Sequence, residues 1–151
     1  MAFTRQTKLA VRSPAFAANG MIPGKYSCEG AEVSPPLTVT GIPPGAKSLA
    51  ITVHDPDAAK PGGVTHWVAW NLPADGNIPE NFKGGAQGLN SDNKPGYKGM
   101  CPPSGTHHYH FRIYAVDTIL SIDSRTDKSG LEKALQGHIL AEAGLIGLYR
   151  K

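Results

Sequence analysis

The chain has 151 residues and a formal charge of +3 from dispersed lysines and arginines, with no basic run or basic helix face, which argues against a nucleic-acid or membrane-surface footprint. Its 18 glycines and 13 prolines are spread as punctuation between short apolar runs, which excludes a helical protein and points to a mainly β fold rich in turns. This length can bury a sizeable core, and one domain over residues 1–151 is expected. The opening MAFTRQTKLAVRSPAF has no apolar signal core and no later segment has the length of a membrane span, so a cytoplasmic location is expected. The two cysteines, Cys28 and Cys101, match no metal or redox spacing; they could pair in principle, and free thiols are the expectation.

In chain order, Lys8 to Val11 reads as a weak first strand, and Asn19-Gly20 as a turn before edge structure at Met21-Ile22 and Lys25-Tyr26. Ser34-Pro35-Pro36 leads into a strand from Leu37 to Thr40, closed by the turn Pro43-Pro44-Gly45. Ser48 to Asp55 is a clearer strand, with Leu49, Ile51 and Val53 on one face and Asp55 continuing that face at its end. A carboxylate ending a buried row needs partners. After the loop from Asp57 to Gly63, Thr65 to Asn71 is another strand, so Asp55 and His66 flank one loop. Between Pro73 and Pro103 regularity largely disappears, and a segment this long suggests a loop covering a ligand.

The stretch from Cys101 to Asp117 then runs from a double-proline corner into a long alternating strand. Alternation puts His107, Tyr109, Phe111, Ile113 and Ala115 on one face and His108, His110, Arg112, Tyr114 and Val116 on the other. His107 and Tyr109 thus stand at the mouth of a buried face, approached by Pro102 and Pro103. Towards the carboxy terminus, Ser129 to Glu132 has the form of a capping box, with Asp127 an alternative N-cap. Leu131, Leu135 and Ile139 make a helical stripe, Gly144 reads as its stop, and Leu145 to Tyr149 as a last short strand or extended tail.

Asp55, Asp57, His66, His107 and Tyr109 form the candidate site, and their chemistry suits an anion: imidazoles and a phenol donate to phosphate oxygens, while a carboxylate orients an imidazole or receives a ligand ammonium. Charge-assisted bonds of roughly 1.5–3 kcal/mol each, offset by the cost of association, imply roughly millimolar to micromolar affinity. A carboxylate partner favours protonated histidine, so binding is expected to weaken as pH rises through the histidine range. A metal is not expected, because His108 and His110 face away from His107. His54, His108, His110 and His138 read as surface or structurally satisfied rings. No G-x-S-x-G elbow, dinucleotide fingerprint or P-loop occurs, Ser104 carries no mark of activation, and Cys101 is more structural than nucleophilic; no cofactor is expected.

Ser34-Pro35-Pro36-Leu37, Asp55-Pro56-Asp57-Ala58, His66-Trp67-Val68, Gly99 with Cys101-Pro102-Pro103, and His107-His108-Tyr109-His110-Phe111 together resemble the phosphatidylethanolamine-binding protein family, also called Raf kinase inhibitor protein-like, and its bacterial and archaeal branch in particular. The resemblance implies a large and a small β-sheet with a short carboxy-terminal helix. It implies an anion pocket of Asp55, His66, Pro103, His107 and Tyr109, with Asp57 and Pro102 beside them. It further implies non-enzymatic binding of small phosphorylated compounds such as phosphorylethanolamine, a regulatory role, inhibition of a serine protease or kinase as the alternative, and possible homodimers. Hydrolysis through His66 or His107 is the remaining alternative. Ala59 and Met100 each stand where the family commonly has proline, which bears on the shape of the loops beside the pocket.

Overall fold

The computed structural model describes residues 8–151. The expectation about an amino-terminal leader rests partly on residues 1–7, which lie outside that range. Two antiparallel sheets carry the chain. The larger has the order β6-β4-β3-β7-β8 and the smaller the order β1-β2-β5. β1 is Ala10–Arg12, β2 Leu37–Thr40, β3 Ser48–Asp55, β4 Val64–Leu72, β5 Asn77–Ile78, β6 Ala86–Gln87, β7 Thr106–Val116 and β8 Ile139–Arg150, with one helix, α1, at Lys128–Leu135.

The alternating strands dictate a three-layer arrangement. Leu49, Ile51 and Val53 of β3 and Tyr109, Phe111, Ile113 and Ala115 of β7 share one face of the larger sheet, and they pack in one cluster with Val11, Leu37, Val39 and Ile78 of the smaller sheet. Ala50, Val68, Trp70, Tyr114 and Val116 occupy the other face, and Leu131 and Leu135 of α1 cover them. Each valine, leucine, isoleucine or phenylalanine among them that is fully removed from water contributes roughly 1.5–3 kcal/mol. No helix among the described residues is long and apolar enough to cross a membrane.

Four expectations are corrected. Residues Gly24–Tyr26 form a 3-10 turn rather than edge strand. Asp127, not Ser129, caps α1, its carboxylate accepting from Gly130 N at 2.9 Å. The helix also ends earlier: Leu135 is its last residue, Gly137 turns the chain at φ 83°, and Ile139 opens β8. β8 is 12 residues long and pairs with β7 from Arg150↔Thr106 to Ile139↔Val116, with Gly144 inside it. Its alternation is concealed because no residue of its amino-terminal half is buried, Ile139 and Leu140 being exposed and Ala141, Ala143 and Gly144 small, and only Leu145, Gly147 and Tyr149 are buried.

The fourth correction concerns the thiols. Cys28 and Cys101 form a disulfide across 73 residues, with Cα atoms 5.5 Å apart. Backbone pairing of Ser27 with Met100 and a 3.0 Å bond from Cys28 N to Met100 O bring the two segments together. A Cβ on Gly99 would meet the Ser27 backbone at 2.9 Å, so only glycine permits this approach. By loop-closure entropy the bridge stabilises the fold by about 4 kcal/mol. It also anchors the corner that carries Pro102 and Pro103.

Candidate functional site

The site lies where β3, β4 and β7 end on the face that holds the main core. Asp55 continues the row of Leu49, Ile51 and Val53 and is 3% exposed. Its burial is compensated: Oδ2 accepts from His107 Nδ1 at 2.7 Å, and Oδ1 accepts from the Asp57 backbone N–H at 2.8 Å. Pro56 sits between the two aspartates, and Asp57 turns outward. Its Oδ2 accepts from His108 N at 2.7 Å and from His108 Nδ1 at 2.8 Å on the exposed side of β7. Those two bonds, the backbone N–H first, hold the Asp57 carboxyl below its ordinary range.

His66 reaches the site through an irregularity. The register between β3 and β4 passes from Val53↔Trp67 to His54↔Thr65, so His66 is the extra residue of a β-bulge. Strict alternation from Val68 and Trp70 would put His66 beneath α1. The bulge instead places it among Asp55, Tyr109 and the Pro102-Pro103 corner. The ring locks the opposite wall: His66 O accepts from Lys98 N at 2.7 Å, and His66 Nδ1 donates to Lys98 O at 2.9 Å. A carbonyl only accepts, so Nδ1 carries the proton and the neutral ring presents a bare Nε2. Burial pushes the His66 pKa down, favouring that neutral ring.

Asp55, His66, Pro102, Pro103, His107 and Tyr109 line one cavity of about 110 Å³. Ala58, Val64, Lys98 and Cys101 complete its wall. Six of the seven residues singled out in the sequence are thus brought together; Asp57 is not, and acts behind the wall through its backbone. Of the four further lining residues, Ala58 and Cys101 stand in motifs quoted from the sequence without being assigned to the site, whereas Val64 is an ordinary apolar position and Lys98 contributes through its backbone to His66. Met100, next to Cys101, is fully buried, with its sulfur 3.1 Å from Tyr97 Oη, which donates to Tyr26 O at 2.7 Å.

Two roomier clefts occur elsewhere, one of about 280 Å³ beside Phe82 and Tyr97 and one of about 460 Å³ between His54 and the start of α1. Size does not decide between them and the smaller cavity, because unsatisfied chemistry does. Among the described residues, the buried side-chain atoms without a hydrogen-bond partner are His66 Nε2 and Tyr109 Oη, and both belong to the small cavity. A buried polar atom left alone costs about 1–3 kcal/mol, a penalty that a ligand relieves. The two rings meet edge to face with centroids 5.3 Å apart, while His107 stacks against Tyr109 at 6.5 Å. Burial, with Asp55 adding to it, pushes the Tyr109 phenol up, so it stays protonated and available as a donor. Of the loop from Pro73 to Pro103, only the end from Lys98 onward reaches this cavity; Asn81 to Lys83, Gln87 and Pro95 to Tyr97 border the 280 Å³ cleft, and Leu89 to Ser91 with Asn93 the 460 Å³ cleft.

Comparison with known proteins agrees with this architecture. The chain is 45% identical over 150 residues to a UPF0098 protein of Methanothermobacter thermautotrophicus, covering 93% of this chain and 98% of that one. It is 42% identical over 145 residues to a UPF0098 protein of Chlamydia pneumoniae, covering 92% and 97%. The crystal structure of a phosphatidylethanolamine-binding protein homologue from Chlamydia trachomatis superposes with a TM-score of 0.91 at 39% identity, over 95% of this chain and 98% of that one. Escherichia coli YbcL, described as a member of the mammalian PEBP family, superposes with a TM-score of 0.88 at 31% identity, over 96% and 99%. The family model described as phosphatidylethanolamine-binding protein matches residues 12–150, and the chain belongs to that family.

Proposed function

We propose that this protein is a non-enzymatic binding protein with a regulatory role, and that its cavity takes a small oxyanion such as phosphate or the head group of phosphorylethanolamine. The observation that carries the reading is the pair of buried, unpartnered polar atoms, His66 Nε2 and Tyr109 Oη, in the wall of one cavity. A space of about 110 Å³ suits a head group; sites for drug-sized ligands run to roughly 300–1,000 Å³. Recognition without turnover accords with the surroundings, since the Cys101 sulfur is held in a disulfide and Ser104 is exposed beyond the proline corner. The disulfide also speaks for an oxidising compartment, against the cytoplasmic placement suggested by the amino-terminal composition. Docking to a protease or kinase has no comparable observation behind it.

The test is a titration of the histidine side-chain resonances with phosphorylethanolamine and with inorganic phosphate at mildly acid pH. His66 and His107 are expected to shift together and saturate, while His54 and His138, which hydrogen-bond Thr65 and Asp117 outside the cavity, stay in place. Saturation that moves His54 and leaves His66 unchanged would transfer the site to the cleft beside α1. No shift at any ring removes the anion-binding reading.

A further inference from the structure

Resting on that reading, we propose that the cavity selects oxyanions that bring their own proton: phosphate and phosphomonoesters as monoanions, in preference to phosphodiesters and sulfate. The inference comes from the direction in which each hydrogen bond around the cavity must run. His66 Nδ1 faces the Lys98 carbonyl at 2.9 Å and His107 Nδ1 faces the Asp55 carboxylate at 2.7 Å. Both partners only accept, so both Nδ1 atoms are occupied as donors. When the rings are neutral, each therefore offers the cavity a lone pair at Nε2. Tyr109 Oη is then the side-chain donor left over, its partnerless hydroxyl being fully buried.

A set of one donor and two acceptors beside a carboxylate is poorly matched to a fully ionised oxyanion, which has only acceptors to present. It matches a monoanion with a hydroxyl. Tyr109 donates to an ionised oxygen, and the P–O–H donates to an imidazole Nε2. At His66 the surroundings do not replace that proton. Burial is the largest influence on His66 and favours its neutral form; the hydrogen bond to the Lys98 carbonyl and the Asp55 charge favour the charged ring, and the Lys98 and His54 charges oppose it, leaving the pKa lowered. The Lys98 ammonium is turned to Asp92 at 2.9 Å. Around His107 stand Asp55 and the Tyr109 ring, with Asp57 close by but bonded to His108. Phospholipid phosphate is a diester without an O–H, so this chemistry favours a free monoester over an intact lipid head group.

Two matched comparisons by calorimetry at pH 6 test the proposal. Methyl phosphate against dimethyl phosphate compares ligands that can both carry a single negative charge, one with a hydroxyl and one without; the second phosphate ionisation lies near pH 6. Inorganic phosphate against sulfate keeps size and shape. The hydroxyl-bearing member of each pair is expected to bind about fivefold tighter or more. Smaller ratios in either pair overturn the proposal and assign recognition to protonated imidazoles, while absence of binding by all four ligands overturns the anion-pocket reading itself. Tyr109→Phe is expected to weaken both members of a pair and preserve their ratio; collapse of the ratio would assign discrimination to the phenol. Nitrogen-15 shifts of the free protein give a readout independent of affinity: protonated Nδ1 with bare Nε2 on His66 supports the proposal, and the reverse tautomer overturns it.

Discussion

Two aspartate–histidine pairs lie back to back across β7. Asp55 holds His107 at 2.7 Å and Asp57 holds His108 at 2.8 Å, so length does not distinguish them. Exposure does: the side chains of the first pair are 4% and 11% exposed, those of the second 40% and 53%. The buried pair stands between a core and a cavity, where the carboxylate fixes the ring and the ring faces the cavity. The exposed pair is a clasp, tying the loop after β3 to the outer side of β7. The same two residue types, at the end of β3 and two positions on in the loop after it, and adjacent on β7, differ in role according to the side of β7 they meet.

The sharpest way to break this contrast is Asp55→Ala. It strips partners from the Asp57 N–H and from His107 Nδ1 in a buried setting, and a loss of about 2–4 kcal/mol in urea unfolding is expected, with loss of phosphate binding. A loss no larger than that of Asp57→Ala would erase the distinction. The next effect is on acid stability. Folding lowers the His66 pKa from its ordinary value of 6.5, so the unfolded chain takes up the proton first. Stability should therefore be full above that value and fall as pH drops through it towards the lower folded value. Denaturation of the wild type and of His66→Gln at several pH values checks this, because the variant should lack that part of the decline. The smallest effect is Asp57→Ala, expected to cost at most about 1 kcal/mol once solvent screening is allowed for, with phosphate affinity nearly unchanged.

Much of the scaffold was readable because alternation survives in its central strands. β3 runs from Ser48 to Asp55 as expected, β4 and β7 extend a residue or so beyond their expected starts, and the inward rows of Leu49, Ile51 and Val53 and of Tyr109, Phe111 and Ile113 pack as read. β8 was read only at its carboxy-terminal end, Leu145 to Tyr149, because an edge strand buried along half its length needs no regular apolar row, and Ala141, Ala143 and Gly144 leave none to see. The disulfide escaped because its partners are 73 residues apart and are brought together by Ser27 and Met100, whose pairing has no local signature. Within the site, His107 and Tyr109 followed from parity, and Asp55 from the end of a buried row. His66 was found from its place after the loop, since parity alone directs it to the wrong face.

That last point concerns inheritance as much as geometry. The extra residue between Val53↔Trp67 and His54↔Thr65 is the difference between a sheet with a cavity-facing imidazole and an ordinary sheet. Losing one codon there would leave the core strands paired while withdrawing His66 or turning it beneath α1, and regaining one would restore it. The proposed anion site can thus be lost or regained in a lineage by the smallest possible insertion or deletion, without the fold having to be rebuilt.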